Sequence, residues 1–243
     1  MKWTAFSGRN AKEILRDPLT VAFSLGFPLV LLLLLTAIQA NVPVSLFVID
    51  QLAPGIAVFG LSFLTLFAAT LIARDRESAL LQRLYAAPLT AADFILGYAL
   101  PMIPMAAAQS AVCYLFALFL GLPVTVTILY AVVCIVPVSL LYVALGLLCG
   151  SILNVKQVGG VCGALLTNAA AWLSGTWFDL ALVGGAFRRV AYALPFVHAV
   201  ELERAVLSGN YPDAFPHFLW VLGYAAVTLL LAVLLFLRQM RRQ

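Results

Sequence analysis

Long uncharged apolar stretches alternate with short polar connections along the whole chain. Stretches of about 20 or more uncharged residues have the length that a helix needs to cross a bilayer, and the sequence has six: 19–40, 52–73, 94–120, 124–150, 158–178 and 218–237. All 14 basic and 10 acidic residues lie outside them. Because a charge at the centre of a membrane helix costs about 2.5 to 3.5 kcal/mol, this segregation predicts six membrane-spanning helices.

Composition excludes a water-soluble globule. Of the 243 residues, 64% are hydrophobic and 10% are charged, whereas soluble domains carry about 25% charged residues. The net charge of +4 does not indicate a nucleic-acid partner, because the basic residues lie in short connections and form no extended basic face. We therefore expect an all-α polytopic membrane protein, with residues 1–243 forming a single transmembrane domain surrounded by membrane lipids.

The distribution of basic residues predicts the orientation. Eleven of the 14 Lys and Arg residues lie in the connections on the side of the two termini. The remaining three are Arg188, Arg189 and Arg204, in the connection 174–217. By the positive-inside rule, both termini are expected in the cytoplasm and segment 174–217 outside.

The N-terminal segment 1–18 has the pattern of an amphipathic interfacial helix. At 100° per residue, one arc is polar and the opposite arc is apolar. The polar arc holds Lys2, Arg9, Lys12, Glu13 and Arg16, and the apolar arc holds Trp3, Phe6, Ala11 and Ile14.

The longest connection on the cytoplasmic side, residues 74–92, opens with dense mixed charge and continues as a short helix that stops at Pro88. Its charged residues are Arg74, Asp75, Arg76 and Glu77, and its apolar side holds Leu80, Leu81 and Leu84 with Tyr85. This pattern suits a docking surface for a soluble partner, and also a solvated helix whose charges pair among themselves. Outside, the apolar stretch 190–200 is too short to span and suits a short re-entrant or interfacial helix.

The chain lacks several kinds of chemistry. It has no G-x-x-x-x-G-K-[ST] phosphate-binding loop, so we expect no ATP hydrolysis and no bound cofactor. No carboxylate, His or basic residue lies in the spans to couple transport to an ion gradient, so energy comes from elsewhere or the protein is a passive pore. A metal site is one interpretation of the cluster formed by His198, Glu201, Glu203 and His217. The pattern favours instead an ion pair between Glu201 and Arg204, on a helix that ends near Gly209. We expect the cysteines at positions 113, 134, 149 and 162 to be buried and to pack as small hydrophobic residues.

Two sets of side chains are candidates for helix packing and for a substrate path. Small residues recur every four positions on the fifth span, at Gly159, Gly163, Thr167, Ala171 and Gly175, and this face allows close packing against a second copy or within one subunit. Gly146 and Gly150 offer a similar ridge on the fourth span. A path lined by Phe27, Phe63, Phe67 and Asn168 would suit an amphipathic or lipophilic compound, although such aromatics also serve as plain packing.

Several motifs in order along the chain resemble type-2 ATP-binding-cassette (ABC) exporter permeases. They are the stretches 52–56 (LAPGI), 73–78 (ARDRES), 83–89 (RLYAAPL), 93–98 (DFILGY) and 157–160 (QVGG), together with 16–18 (RDP), 194–196 (LPF) and 198–202 (HAVEL). The sequence is also similar to the small drug-export members of that family, the daunorubicin-resistance-type permeases.

The resemblance implies a half-transporter in a bacterial or archaeal-type inner (plasma) membrane. Two permease copies, a homodimer, would bind two separate ABC ATPase subunits, which use ATP and magnesium. Segment 74–92 would be the coupling helix, segment 1–18 the connecting helix, and segment 174–217 would form small external helices over the exit. The expected function is ATP-driven export of an amphipathic drug, metabolite or lipid-like substrate. Two alternatives stay open: export of a polysaccharide or lipid-linked glycan, and a membrane scaffold or assembly protein that transports nothing.

Overall fold

The computed structural model describes residues 2–78 and 90–240, and within them every regular element is a helix. In chain order these are α1 (Lys2–Arg16), α2 (Pro18–Asn41), α3 (Ile49–Glu77), α4 (Ala91–Phe119), α5 (Thr127–Ile152), α6 (Val155–Val158), a π-helix (Gly159–Leu166), α7 (Thr167–Leu173), α8 (Leu180–Val183), α9 (Gly185–Ala193), α10 (Pro195–Leu207) and α11 (Tyr211–Met240). The expectation of an all-α polytopic membrane protein is confirmed.

Among the described residues, five helices are long and apolar enough to cross a membrane, namely α2, α3, α4, α5 and α11. The predicted span at 158–178 differs from these. Its helical residues run from 155 to 173 without a break in sequence, but the middle is a π-helix that contains Gly159, Gly160 and Gly163. We call α6, the π-helix and α7 together the composite helix.

Local sequence signals explain several helix boundaries. Thr90 and Asp93 form a capping box, in which the backbone N–H of each residue is bound by the side chain of the other. Pro18 begins α2, where its missing N–H costs nothing. At the end of α10 the chain reverses at Gly209, whose φ of 76° favours glycine.

α3 is the central helix of the bundle. Of its most apolar window, 83% of the residues are buried, compared with 22% in α2 and in α11, although the three helices have similar hydropathy. It packs against α2, α4, α5, α10 and the composite helix. The exposed apolar faces of α2 and α11 are therefore the lipid-facing surface, and α3 is the interior of the protein.

The glycine ridge of the fourth span lies against α3 of the same chain. A Cβ atom added to Gly146 would lie 2.8 Å from the carbonyl oxygen of Thr65, and one added to Gly150 would lie 2.7 Å from that of Ala69. Near this contact the Thr65 hydroxyl donates a hydrogen bond to the Tyr142 carbonyl, 2.7 Å away. Only glycine permits such a close approach of the two helices, so this ridge is a contact within one subunit.

The helices alternate in direction, so the bundle has two distinct ends. At the α1 end, the last turns of α3, α5 and α11 lie together with the first turns of α4 and with α1, through contacts such as Arg9–Asp75, Arg76–Gly150 and Phe94–Phe236. At the α10 end, α10 meets the start of α3 and the end of α4. The side of the membrane that each end faces stays a prediction.

Some predicted boundaries need correction. The charged residues 74–77 form the last turn of α3 and do not belong to a separate loop. In this turn Asp75 is hydrogen-bonded to α1 and α4, which holds the turn against these helices. The fifth span ends at Leu173, so Gly175 lies in a turn with φ 72°. Segment 174–217, which is predicted to be external, contains the three short helices α8, α9 and α10, but its last residues already belong to α11.

Candidate functional site

The charged end of α3 is organised around one buried carboxylate. Asp75 is only 2% exposed, and its Oδ2 accepts hydrogen bonds from the Arg9 guanidinium at 2.6 Å and from the Tyr98 hydroxyl at 2.7 Å. These residues belong to α3, α1 and α4, and we call them the Asp75 cluster. Because a buried charge is tolerated only when it is paired and hydrogen-bonded, the cluster fixes the relative positions of three helices.

Apolar packing and a second polar contact hold α1 against α4 beside this cluster. The ring of Phe6 lies edge-on to Tyr98, with centroids 4.9 Å apart, and covers Gly97. The buried Asn10 side chain donates to the Gly97 carbonyl at 3.0 Å. The apolar arc predicted for α1 therefore faces α4 at Phe6 and Ile14, with Asn10 between them.

The neighbouring charges of α3 bind the connection between α5 and the composite helix. Arg76 donates to the carbonyl oxygens of Gly150 and Leu153, at 2.9 and 3.2 Å. The Glu77 carboxylate accepts from the backbone N–H of Val155 at 3.1 Å, where α6 begins. Residues 75–77 thus fasten the end of α3 to α1, α4, α5 and the composite helix.

The predicted coupling residues divide into two groups. Arg74, Asp75, Arg76 and Glu77 lie within the described residues, and of these Arg74 is exposed while Asp75 is buried. Leu80, Leu81 and Leu84 lie outside the described residues, so their role as apolar anchors stays a prediction.

A charged cavity of about 270 Å³ opens at the α1 end between α1 and α3. Its polar lining comprises Arg9, Glu13, Arg16, Asp17, Arg74 and Asp75, and Phe67, Thr70 and Leu71 close its inner side. A cavity with both signs of charge at its mouth and apolar residues at its base can bind a polar surface or an amphipathic molecule.

Two of the four predicted path residues meet in an aromatic cluster. The rings of Phe27 in α2 and Phe63 in α3 lie 5.4 Å apart, and Phe59 lies within 6.4 Å of both. Trp177, in the turn after the composite helix, contacts Phe59 at 5.4 Å. The cluster therefore extends from the lipid-facing side of α2 to the α10 end.

The other two path residues lie apart from that cluster. Phe67 is buried one turn further along α3 and lines the charged cavity. Asn168 is exposed, and its side chain donates to the Ala164 carbonyl of its own helix at 2.8 Å. The structure thus aligns Phe63 and Phe67 along α3 but does not bring Asn168 to them.

The small residues of the fifth span have different environments. Gly159 is exposed, and a Cβ atom placed there would meet nothing within 4 Å. Gly163 lies next to Leu66 of α3, and Ala171 is buried within the subunit. Thr167 donates to the Cys162 carbonyl at 2.9 Å. Packing against a second copy along this face stays a prediction, and its open part is the stretch near Gly159.

At the α10 end a second carboxyl group is buried. Glu203 is 0% exposed, and its Oε2 accepts a hydrogen bond from the Tyr114 hydroxyl of α4 at 3.0 Å. Its Oε1 has no hydrogen-bond partner among the described residues. Burial raises the pKa of Glu203 to about 8, and the hydrogen bond from Tyr114 opposes this shift.

The remaining candidates for a metal site separate into two places. The predicted Glu201–Arg204 pair is confirmed, with a distance of 2.9 Å, and Arg204 also donates to the carbonyl oxygens of Gln51 and Gly175. Nδ1 of His198 lies 2.8 Å from Nδ1 of His217. Among the described residues no group of three or more His, Cys, Asp and Glu side chains is placed to hold a metal ion.

The two histidines form a hydrogen-bonded pair. Nε2 of His198 lies 3.0 Å from the Tyr192 carbonyl oxygen, which only accepts, so we assign the proton of neutral His198 to Nε2. Burial lowers the pKa of His198, although its hydrogen bond to Tyr192 acts in the opposite direction. The pair joins α10 to α11.

Sequence reasoning missed Tyr98, Tyr114 and Trp177. Phe59, one helical turn before Phe63, could have been found from the four-residue spacing. Tyr98 ends the stretch 93–98 that carries part of the family resemblance, but nothing local shows that its hydroxyl meets Asp75. The burial of Glu203 has no sequence signal, because the residue lies in a segment with charged neighbours on both sides.

Comparison with known proteins gives one clear family match. A family model described as ABC-2 type transporter matches residues 1–208. A search of curated proteins finds no matching sequence.

Proposed function

Because the chain belongs to the ABC-2 type transporter membrane family, we propose that it is the permease subunit of an ATP-driven exporter whose ATPase is a separate chain. The permease contributes the membrane path, and the partner contributes ATP binding and hydrolysis with magnesium. The sequence has no phosphate-binding loop and no ion-coupling residue within the spans. Both are energy sources that transporters use, so the proposal assigns the energy to the partner.

The observation that supports the proposal is the attachment of residues 75–77 to four other elements. Segment 79–89, the proposed contact with the ATPase, follows directly on this turn. A force applied there reaches α3 first. Since Asp75, Arg76 and Glu77 connect α3 to α1, α4, α5 and the composite helix, the movement is passed to most of the bundle as a rigid unit.

The charged cavity supports the α1 end as the site of contact with the ATPase. It is lined by Arg9, Arg16 and Arg74 together with three acidic residues, and Arg16 and Arg74 are exposed. A partner loop with charged or hydrogen-bonding side chains suits this mixed rim. This assignment places both termini and the α1 end in the cytoplasm of a bacterial or archaeal-type cell.

The proposed substrate is an amphipathic or lipophilic compound. Phe27, Phe59, Phe63 and Trp177 offer an aromatic surface that begins at the lipid-facing side of α2. Phe67 continues this surface toward the charged cavity at the α1 end. Aromatic faces next to a polar mouth suit a molecule with both characters. Export of a polysaccharide or lipid-linked glycan is a second candidate.

We also propose that two permease copies pair with two ATPase copies. The composite helix leaves Leu165 and Trp172 68% and 55% exposed, and its Gly159 and Gly160 are also exposed. Exposed small and aromatic residues suit contact with another membrane helix. Cross-linking of single cysteines placed at Ala164 in two differently tagged copies tests this pairing. Cysteines at Leu33, on the exposed face of α2, test the competing arrangement.

The central experiment is transport by reconstituted permease and ATPase with changes in the coupling segment. We expect Glu77→Ala and Leu81→Asp to abolish transport and substrate-stimulated ATP hydrolysis. Glu77→Ala frees the first N–H of α6, and Leu81→Asp removes an apolar anchor, which costs about 1 to 3 kcal/mol of docking energy. Membrane abundance should stay near normal.

Lys156→Ala is the matched control, because Lys156 is exposed at the same end and lies next to Val155. It should keep full transport. If Glu77→Ala and Leu81→Asp also keep full transport at equal expression, the segment is only a tether. If the ATPase copurifies but no compound stimulates it, the scaffold alternative is favoured.

A further inference from the structure

Glu203 is a buried acid that the proposed coupling route does not use. It lies in α10, a helix outside the membrane spans that packs against α3, α5 and α11 and reaches α4 through Tyr114. Its carboxyl group is 0% exposed and receives one hydrogen bond, while Oε1 has no partner among the described residues. The electrostatic cost of an ion in this position is large.

The groups around Glu203 do not supply a compensating cation. The ionisable side chains that interact with it are Tyr114 of α4 and Cys134 of α5. Asp50 of α3 and Asp213 and His217 of α11 lie toward the surface, and His217 is engaged with His198. From α9, Arg188 lies over the ring of Tyr192 and Arg189 is exposed.

The next residue in the helix, Arg204, points elsewhere. Its guanidinium binds Glu201 and the carbonyl oxygens of Gln51 and Gly175. Among the described residues no ion pair includes Glu203. Asp75 has a cation as its partner, whereas Glu203 has none among the described residues. While α10 is packed, the buried carboxyl group of Glu203 is therefore stable only as the neutral acid.

The side of α10 opposite this carboxyl group borders two open cavities. They have volumes of about 330 and 370 Å³, and both are lined by Gln51, Glu201 and Arg204. They reach the outer face of α10, whereas Glu203 lies on its inner face. A movement that separates α10 from α4 and α5 opens this inner face, so that water entering at the α10 end reaches the carboxyl group.

We propose that Glu203 is a proton-binding site linked to the packing of α10. It holds one proton on its carboxyl group while α10 is packed. When α10 separates, the O–H bond breaks, the proton passes to this water, and the carboxylate remains hydrated. If α10 covers the exit, as the proposed function holds, alkaline pH on the outer side then favours the open exit.

The sign of the effect follows from linkage. The packed state binds more protons than the open state at every pH between the ordinary pKa of a glutamate, 4.5, and the packed value of about 8. Raising the pH through this window therefore favours the open state. Each pH unit raises the ratio of open to packed protein by at most about tenfold.

The test uses purified full-length protein without the ATPase, so it does not depend on transport. A cysteine at Ala199, which is 0% exposed and lies one turn before Glu203 on the same face, reports opening through its rate of maleimide labelling in a background without the four native cysteines. The matched control is the E203Q variant with the same reporter. Gln keeps the shape and a hydrogen bond but cannot titrate.

The expected result is equal labelling of both proteins near pH 4 and a ratio of Glu203 to E203Q rates that rises by up to about tenfold per pH unit above pH 5 and levels off near pH 8. Taking the ratio removes the pH dependence of the thiol itself. Parallel profiles for the two proteins from pH 5 to 9 would overturn the proposal.

A second variant keeps the proposal testable if E203Q does not fold. Tyr114→Phe removes the one hydrogen bond that the carboxylate receives, and it leaves the acid in place. The rise in labelling should then continue to a higher pH before it levels off than in the parent protein, because the hydrogen bond from Tyr114 opposes the raised pKa of Glu203. A Tyr114→Phe profile that coincides with that of the parent would count against Glu203 as the titrating group.

Discussion

Asp75 and Glu203 are two carboxyl groups buried at opposite ends of the same bundle, and α4 supplies a tyrosine to each. Tyr98 binds Asp75 and Tyr114 binds Glu203, and these tyrosines are about 24 Å apart at 1.5 Å per residue of helix. At the α1 end Arg9 completes the site. At the α10 end no cation among the described residues does so.

The difference shows how one contact decides the charge of a buried acid. With an arginine at 2.6 Å, Asp75 is held as part of an ion pair that joins three helices, which suits a fixed mechanical link. Without such a partner, Glu203 is held as a neutral acid whose charge depends on packing. We therefore expect the stability of the α10 end to depend on pH.

The largest expected effect comes from removing the cation at the α1 end. Arg9→Ala leaves the Asp75 carboxylate buried and unpaired, and should destabilise the protein by about 3 to 5 kcal/mol. Thermal unfolding in detergent should show a fall in Tm on the order of 10 °C. Asp75→Asn in the Arg9→Ala background should restore part of this loss, since a neutral amide needs no cation. An unchanged Tm in Arg9→Ala would show that the ion pair is not structural.

The next effect is the pH dependence of stability at the α10 end. The folded pKa of Glu203, about 8, lies above its ordinary value of 4.5, so the folded state binds more protons and stability falls as pH rises through that window. Between pH 6 and 8 the loss should be about 2 kcal/mol. The E203Q variant should lack this slope, and an equal slope in both proteins would assign it to groups other than Glu203.

The two tyrosines should differ in the cost of losing their hydroxyls. Tyr98→Phe removes a hydrogen bond to a charged group, for which about 1.5 to 3 kcal/mol is expected, whereas Tyr114→Phe removes one to a neutral acid and should cost about 1 kcal/mol. Thermal unfolding at pH 6 compares them, because Glu203 is protonated there. Equal costs would mean that both acids carry the same charge.

The smallest effect is expected at the partly exposed pair beside Glu203. Glu201→Ala removes the ion pair with Arg204, whose side chains are 34% and 15% exposed, and should cost only about 0.5 kcal/mol. Arg204 keeps its bonds to the Gln51 and Gly175 carbonyl oxygens. A loss in Tm as large as that of Tyr98→Phe would instead make this pair a main support of α10.

The sequence by itself determined the membrane class, the helical fold, most helix positions and the family. These follow from hydropathy, chain length and capping residues, which act locally: Thr90 and Asp93 cap α4 because they are three residues apart, and the Glu201–Arg204 pair forms because it spans one helical turn. The family resemblance rests on short motifs such as residues 73–78, and the family match confirms it.

Only the tertiary structure decided which of two equally apolar helices is central, which glycines touch another helix, and which charges are buried. α2 and α3 have similar hydropathy but opposite burial, because lipid and protein interiors are equally apolar solvents for a side chain. Asp75 lies 66 residues from Arg9, and Glu203 lies 89 residues from Tyr114. Contacts between such distant residues depend on how the helices pack, and a single sequence carries no local sign of them.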